Sequence, residues 1–264
     1  MRRRVPLSLI MLDTLESRWA RLEPHAVFVG PDDDLPRPTA LLFHGCGGMR
    51  DHLPVYAEAA AGAGWRSVIV DSYAPRGWSR QFALTTVCTG MLLRGWERAG
   101  DVLATIQGVS RRPDVDAGCL ALGGWSHGGW AIMEALSAAP EAPRALGVVD
   151  AEACSLDGVK AAFLAYPFVG PGAVRAKAPW RHCPRTLAVI ARRDHLTTVR
   201  HAERVHEAVR GCGVEIETWI AEGTHAFDEP TGVAPMRYDP DLSAESAGRF
   251  RGLLEAVAPR AMAA

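Results

Sequence analysis

The sequence predicts an α/β fold, with a mostly parallel central sheet and helices on both of its faces, in one domain over residues 1–264 without a large lid or cap. Three observations predict it. Apolar runs of strand length alternate with longer helical segments, the pattern of strands joined by crossover helices. The central runs are short and continuously apolar, as expected of strands covered on both faces. No linker, repeat or low-complexity block divides the 264 residues, a length that permits one large domain or two small ones.

Thr39 to Phe43 is the first such strand, ending at His44-Gly45, after a surface turn over Pro31 to Pro38. Leu53 to Ala63 reads as a helix stopped by Gly64. Ser67 to Val70 is a second buried strand with Asp71 at its carboxyl end. Arg94 to Arg111 reads as a helix that ends before Pro113. Cys119 to Leu122 is a third strand running into Gly123-Gly124. Helical pattern resumes at His127 and stops at Pro140; Glu134 is its sole carboxylate before that stop, so the helix should be buried on nearly every face. Val159 to Ala165 and Thr186 to Ile190 are further strands, with a loop over Phe168 to Arg185 between them. Thr198 to Arg210 carries apolar residues at 199, 202, 205, 208 and 209, one helical stripe, and Gly211 suits its end. Val214 to Ile220 alternates in polarity, as a strand near an edge does. Ala244 to Val257 closes the chain as a helix.

Composition narrows the function class. Hydrophobic residues make up 48% and charged residues 22%, an ordinary globular balance. The 29 basic and 30 acidic side chains leave a formal charge of −1, which gives no reason to expect a nucleic acid or a membrane surface as partner. Three arginines precede a short apolar stretch in Met1 to Leu12, but Pro6 and Ser8 interrupt it and no small-residue cleavage site follows, so a secretory signal is not expected. No run approaches the roughly 18 apolar residues of a membrane span. The six cysteines are widely spaced and form no C-x-x-C pair. The expectation is a cytoplasmic protein with reduced, mostly buried thiols.

The chemistry lies where strands end. Gly124-Trp125-Ser126-His127-Gly128 has the G-x-S-x-G form: a sharp turn between strand and helix holds a serine in a strained conformation, and small residues two before and two after avoid collision. The helix behind the turn aims its N-terminal N–H groups at the reacting centre. His44-Gly45-Cys46-Gly47-Gly48 follows the first strand, and its glycines allow backbone to approach a substrate. The expected oxyanion donors are the backbone N–H groups of Cys46 and His127. Cys46 could instead be a nucleophile activated by a nearby imidazole, and His44 could simply hold its loop.

A serine hydroxyl needs an imidazole to take its proton and a carboxylate to orient that imidazole. Asp194 lies just beyond the strand Thr186 to Ile190, and His225 just beyond Val214 to Ile220, in the chain order serine, acid, histidine. Both fall on the rim where α/β sheets place ligands. His195 is too close to Asp194 in sequence to fold back easily, His201 and His206 sit in a helix as solvated groups, and Asp228 reads as a local turn residue.

These elements together resemble the dienelactone hydrolase family within the α/β-hydrolase superfamily. The resemblance rests on His44-Gly45-Cys46-Gly47-Gly48, Asp71-Ser72-Tyr73-Ala74-Pro75-Arg76-Gly77, Gly124-Trp125-Ser126-His127-Gly128-Gly129, Asp194 and Thr224-His225-Ala226-Phe227, and covers about residues 40 to 230. It implies an α/β-hydrolase fold with no metal and no organic cofactor. Dienelactone hydrolases proper carry cysteine at the nucleophile position; Ser126 here favours a general carboxylesterase acting on small or medium esters. Arg76 is a candidate for binding a substrate carboxylate, against pairing with a nearby acid. Tyr73 should overhang the same rim, and Trp125 and Trp130 could line an acyl pocket or simply pack in the core. The alternatives are a peptidase or amidase on the same scaffold, and a non-catalytic binding protein that has kept the fold. A metal-dependent hydrolase is third, with no H-E-x-x-H spacing among nine histidines.

Overall fold

A computed structural model describes residues 13–137, 146–173 and 179–258. Seven strands form one sheet: β1 (Val27–Val29), β2 (Arg37–Phe43), β3 (Arg66–Val70), β4 (Val115–Trp125), β5 (Val159–Ala165), β6 (Arg185–Arg193) and β7 (Ile216–Thr224). Their spatial order is β1-β3-β2-β4-β5-β6-β7, and every pair is parallel except β1 with β3. The helices are α1 (Leu15–Leu22), α2 (His52–Ala61), α3 (Arg80–Thr86), α4 (Gly95–Val109), α5 (His127–Ser137), α6 (Val199–Arg210) and α7 (Pro240–Val257). This is the mostly parallel, helix-covered sheet that the alternation of apolar runs predicts.

The period-two alternation of side chains splits the core into two layers. Leu41, Phe43, Leu120, Leu122, Leu164 and Ile190 pack on the face covered by α1, α4, α5 and α6. Ala40, Leu42, Phe163 and Val189 pack on the other face, against α2 and α7. Both faces are buried, so the central strands must be continuously apolar. All eleven residues of α5 are buried, as its lack of a polar face requires; residues 138–140 of the expected helix lie outside the described residues.

Several boundaries differ from expectation for physical reasons. β4 runs on through Gly123 and Gly124, which weaken isolated strands but here pair in register with Leu42 and Phe43 on one side and Phe163 and Leu164 on the other. β2 begins at Arg37, inside the expected turn. Its pairing with β4 shifts register between Arg37 and Thr39, which accommodates Pro38, a residue with no N–H to donate. β6 and β7 extend to Arg193 and Thr224, so Asp194 and His225 each follow a strand directly. α7 begins four residues early because the Asp239 side chain accepts from the Leu242 N–H and Pro240 opens the first turn. α1, β1 and α3 were not anticipated, being eight, three and seven residues long.

Candidate active site

The serine turn is built by close packing. Ser126 has φ +49°, a left-handed conformation that a non-glycine residue adopts only when held there. Its N–H donates to Ala165 O (2.9 Å), and its own carbonyl accepts from the N–H groups of Trp130 and Phe168 (3.0 Å each). A Cβ on Gly128 would lie 2.0 Å from the Phe43 carbonyl oxygen, and one on Gly124 would lie 2.7 Å from the Gly128 backbone. Those two contacts explain why glycine stands at both ends of the pentapeptide.

Ser126 Oγ lies 2.9 Å from His225 Nε2, and His225 Nδ1 lies 2.7 Å from Asp194 Oδ2. The other oxygen of Asp194 accepts from the Leu196 and Thr197 N–H groups at 2.7 and 3.2 Å. Burial opposes ionisation of Asp194, but the His225 ring and these two N–H donors hold its carboxyl below the usual range. The Tyr166 ring meets His225 edge to face (centroids 4.8 Å apart), and the ring of the exposed His195 meets it nearly perpendicular at 5.6 Å. Three positions far apart in sequence therefore meet in one hydrogen-bonded line.

The loop after β2 passes beside Ser126. A Cβ on Gly45 would lie 3.6 Å from the Ser126 Cβ. Gly45 O accepts from the Gly48 N–H (3.2 Å) and from His44 Nδ1 (2.6 Å). Because a trans peptide points its N–H opposite its carbonyl, this anchoring turns the Cys46 N–H away from the loop interior. Among the described residues, neither the Cys46 nor the His127 N–H donates to another protein group.

Next to Ser126 lies a cavity of about 460 Å³ lined by Val87, Trp96, Trp130, Phe168 and Leu196, with Arg94 among the wall residues. The segment that follows α3 forms one wall through Val87, Cys88, Thr89 and Gly90. The cavity is in the range of small-molecule sites and is mostly apolar.

Several expectations need correction. Cys46 and Cys88 form a disulfide, so the thiols are not all reduced. Cys183 and Cys212 are exposed rather than buried, while Cys119 and Cys154 are buried. With Sγ bonded to Cys88, Cys46 has no thiol with which to act as a nucleophile. The bond also withdraws the support that reduced thiols gave to a cytoplasmic location, since disulfides persist mainly in oxidising compartments. No helix among the described residues is long and apolar enough to cross a membrane.

Arg76 does not face the cavity. Its guanidinium pairs with both oxygens of Asp101 at 2.9 Å and donates to Ser72 O. Trp125 is 1% exposed and packs among Tyr56, His52 and Phe163, because its neighbour Ser126 takes the cavity side of the turn. Trp130 is the tryptophan that lines the cavity. Tyr73 is buried behind the loop after β2, where its hydroxyl donates to Cys46 O (3.0 Å) and burial pushes its phenol up to about 12. His206 is buried, not solvated, and His201 Nε2 bonds to Val169 O. Asp228 is buried and accepts from Tyr56 Oη (2.7 Å), Tyr166 Oη (2.5 Å) and Trp125 Nε1 (3.0 Å). It is no local turn group; it ties the His225 loop to the strand that carries Ser126. The lining residues Trp96, Phe168 and Leu196 were missed, since nothing local marks a residue as facing a cavity.

Comparison with known proteins gives the family. The family model of the dienelactone hydrolase family matches residues 25–257. No curated protein matches the chain. Among solved structures, a putative dienelactone hydrolase from Klebsiella pneumoniae is similar at 16% identity and TM-score 0.64, covering 87% of this chain and 91% of that one. A dienelactone hydrolase-like promiscuous phosphotriesterase from metagenomic libraries is similar at 18% identity and TM-score 0.63, covering 89% and 92%. An esterase of Thermogutta terrifontis with propionate bound is similar at 16% identity and TM-score 0.62, covering 89% and 91%. With the family model spanning most of its length and the α/β-hydrolase fold in place, the chain belongs to the dienelactone hydrolase family.

Proposed function

We propose that the protein is a serine hydrolase that cleaves carboxylic esters of small or medium size through an acyl-enzyme on Ser126. One observation carries the reading: the unbroken line from Ser126 Oγ to His225 Nε2 and from His225 Nδ1 to Asp194. Ser126 Oγ attacks the ester carbonyl carbon while His225 Nε2 takes its proton, and Asp194 fixes the ring and stabilises its charged form. The Cys46 and His127 N–H groups receive the negative charge that develops on the carbonyl oxygen. Collapse of the tetrahedral species expels the alkoxide, which leaves as alcohol with the proton from His225. Water, deprotonated by the same imidazole, then attacks the acyl-enzyme and releases the acid.

The apolar, aromatic-lined cavity beside Ser126 supports a compact acyl or alcohol group. The residues are read as one domain, with the short α3 segment as a partial cover in place of a cap. No cofactor enters any step. An ester panel of p-nitrophenyl acetate to laurate, set beside amino-acyl anilides, tests the reading. Turnover of short and medium esters that Ser126→Ala lowers by about 10⁴-fold or more is the expected result. Anilide cleavage exceeding ester cleavage, or full activity in the variant, overturns it.

A further inference from the structure

Arg98 lies on α4 with no exposure to solvent. A guanidinium is costly to bury, and a buried one ordinarily has a carboxylate partner. Arg98 forms no ion pair among the described residues. Asp101, one turn along the same helix, is held by Arg18 (2.7 Å) and Arg76 (2.9 Å) instead.

Its hydrogen bonds go to groups around the oxyanion loop. Nε donates to Ser72 Oγ at 3.0 Å. Nη1 donates to the His44 carbonyl at 2.7 Å and reaches His127 Nδ1 at 3.1 Å. One nitrogen thus bonds to the loop that carries the Cys46 N–H and to the residue whose own N–H is the second donor. The Tyr73 ring packs below the guanidinium (6.0 Å to its centroid), and its hydroxyl holds Cys46 O.

The imidazoles complete the arrangement. The Ser72 N–H donates to His44 Nε2 (3.2 Å), so Nδ1 carries the proton donated to Gly45 O. That bond sets the peptide whose N–H belongs to Cys46. Burial and the adjacent Arg98 charge hold His44 well below its ordinary range and bring His127 down to about 3, so both rings stay neutral acceptors.

We propose that Arg98 is a positioning residue of the oxyanion hole: its Nη1 ties the His44 carbonyl to the His127 ring and so joins the two segments that supply the hole's N–H groups, and its charge, bonded to no carboxylate among the described residues, favours the anion formed above them. The inference rests on Ser126 as nucleophile and on Cys46 and His127 as donors. It goes beyond that reading by assigning the hole's geometry and field to a side chain that touches no substrate.

The test compares wild type with Arg98→Met and Arg98→Lys, using p-nitrophenyl butyrate, an alkylboronic acid inhibitor that forms an anionic tetrahedral adduct on a nucleophilic serine, and a thermal melt. For Arg98→Met the expected result is a kcat about 10- to 100-fold lower with KM within about threefold of wild type, and a boronate Ki weakened by the same factor as kcat. Arg98→Lys, which keeps the charge and loses the fork, should fall between the two. A wild-type boronate Ki in Arg98→Met, or a loss explained entirely by its unfolded fraction, overturns the proposal. If Arg98→Met does not fold, Arg98→Lys decides: a loss of about fivefold or more, shared by kcat and boronate affinity, supports it, and wild-type values overturn it. Fluorophosphonate labelling of the wild-type protein separates the two levels. A wild type unlabelled at Ser126 defeats the serine-hydrolase reading itself, whereas normal labelling with unaffected Arg98 variants defeats only this inference.

Discussion

Breaking the Cys46–Cys88 bond should cost a large share of the protein's stability and loosen one wall of the cavity. The bond spans 42 residues. Releasing a loop of that length returns chain entropy to the unfolded state worth about 4 kcal/mol at 25 °C. For a chain of this size each kcal/mol moves the melting temperature by about 2–4 °C, so Cys88→Ser should melt roughly 8–16 °C lower. The cavity wall of Val87 to Gly90 would then lose its cross-link to the loop after β2, so KM should rise. The assay is differential scanning calorimetry of wild type and Cys88→Ser, paired with thiol titration of the denatured wild type. Four thiols should titrate without reductant, those of Cys119, Cys154, Cys183 and Cys212, and six after reduction. Six thiols before reduction, or a Cys88→Ser melt within about 2 °C of wild type, would refute the reasoning.

Two further outcomes follow from buried polar groups. Asp228→Ala leaves the Tyr166 and Trp125 donors without an acceptor, each at about 1–3 kcal/mol, while Tyr56 Oη keeps Ser246 Oγ at 2.7 Å, so urea unfolding should show a loss of at least about 2 kcal/mol; a loss below 1 kcal/mol contradicts the network. His206 is buried and neutral, with burial lowering it to about 4. Its unfolded form binds a proton below pH 6.5 while the folded form does not, so stability falls as the pH drops through that window. The loss between pH 7 and pH 5 should be about 2 kcal/mol for this residue. Urea titrations of His206→Gln at both values should lack that increment, and an unchanged pH dependence counts against it.

Much of the fold was legible because its signals are local. Continuous apolar runs marked β2, β3, β5 and β6, and the nearly all-apolar character of α5, with Glu134 its one carboxylate, marked a buried helix. The serine pentapeptide could be found because packing at Gly124 and Gly128 constrains residue type position by position. Asp194 and His225 could be singled out because parallel strands bring their carboxyl ends to one rim, where the two side chains lie 2.7 Å apart. What was missed depends on long-range partners. Arg76 has the composition of a substrate clamp, and only the fold reveals Asp101 beneath it. Asp228 lies three residues after His225 and gives no local sign of partners at 56, 125 and 166. Cys46 and Cys88 carry no spacing signature, because their approach depends on the segment after α3 meeting the loop after β2. Arg98 lies on an otherwise ordinary helix, and its burial is set by the loops that meet above it.

The account depends on Ser126 being made nucleophilic by the His225–Asp194 pair. Intact-protein mass spectrometry after brief exposure to a fluorophosphonate, with peptide mapping of wild type, Ser126→Ala and His225→Ala, measures that directly. One adduct per chain on Ser126 in wild type, none in Ser126→Ala and labelling slowed by at least about 10³-fold in His225→Ala is the predicted result. An adduct elsewhere, or equal labelling rates with and without the imidazole, would contradict it.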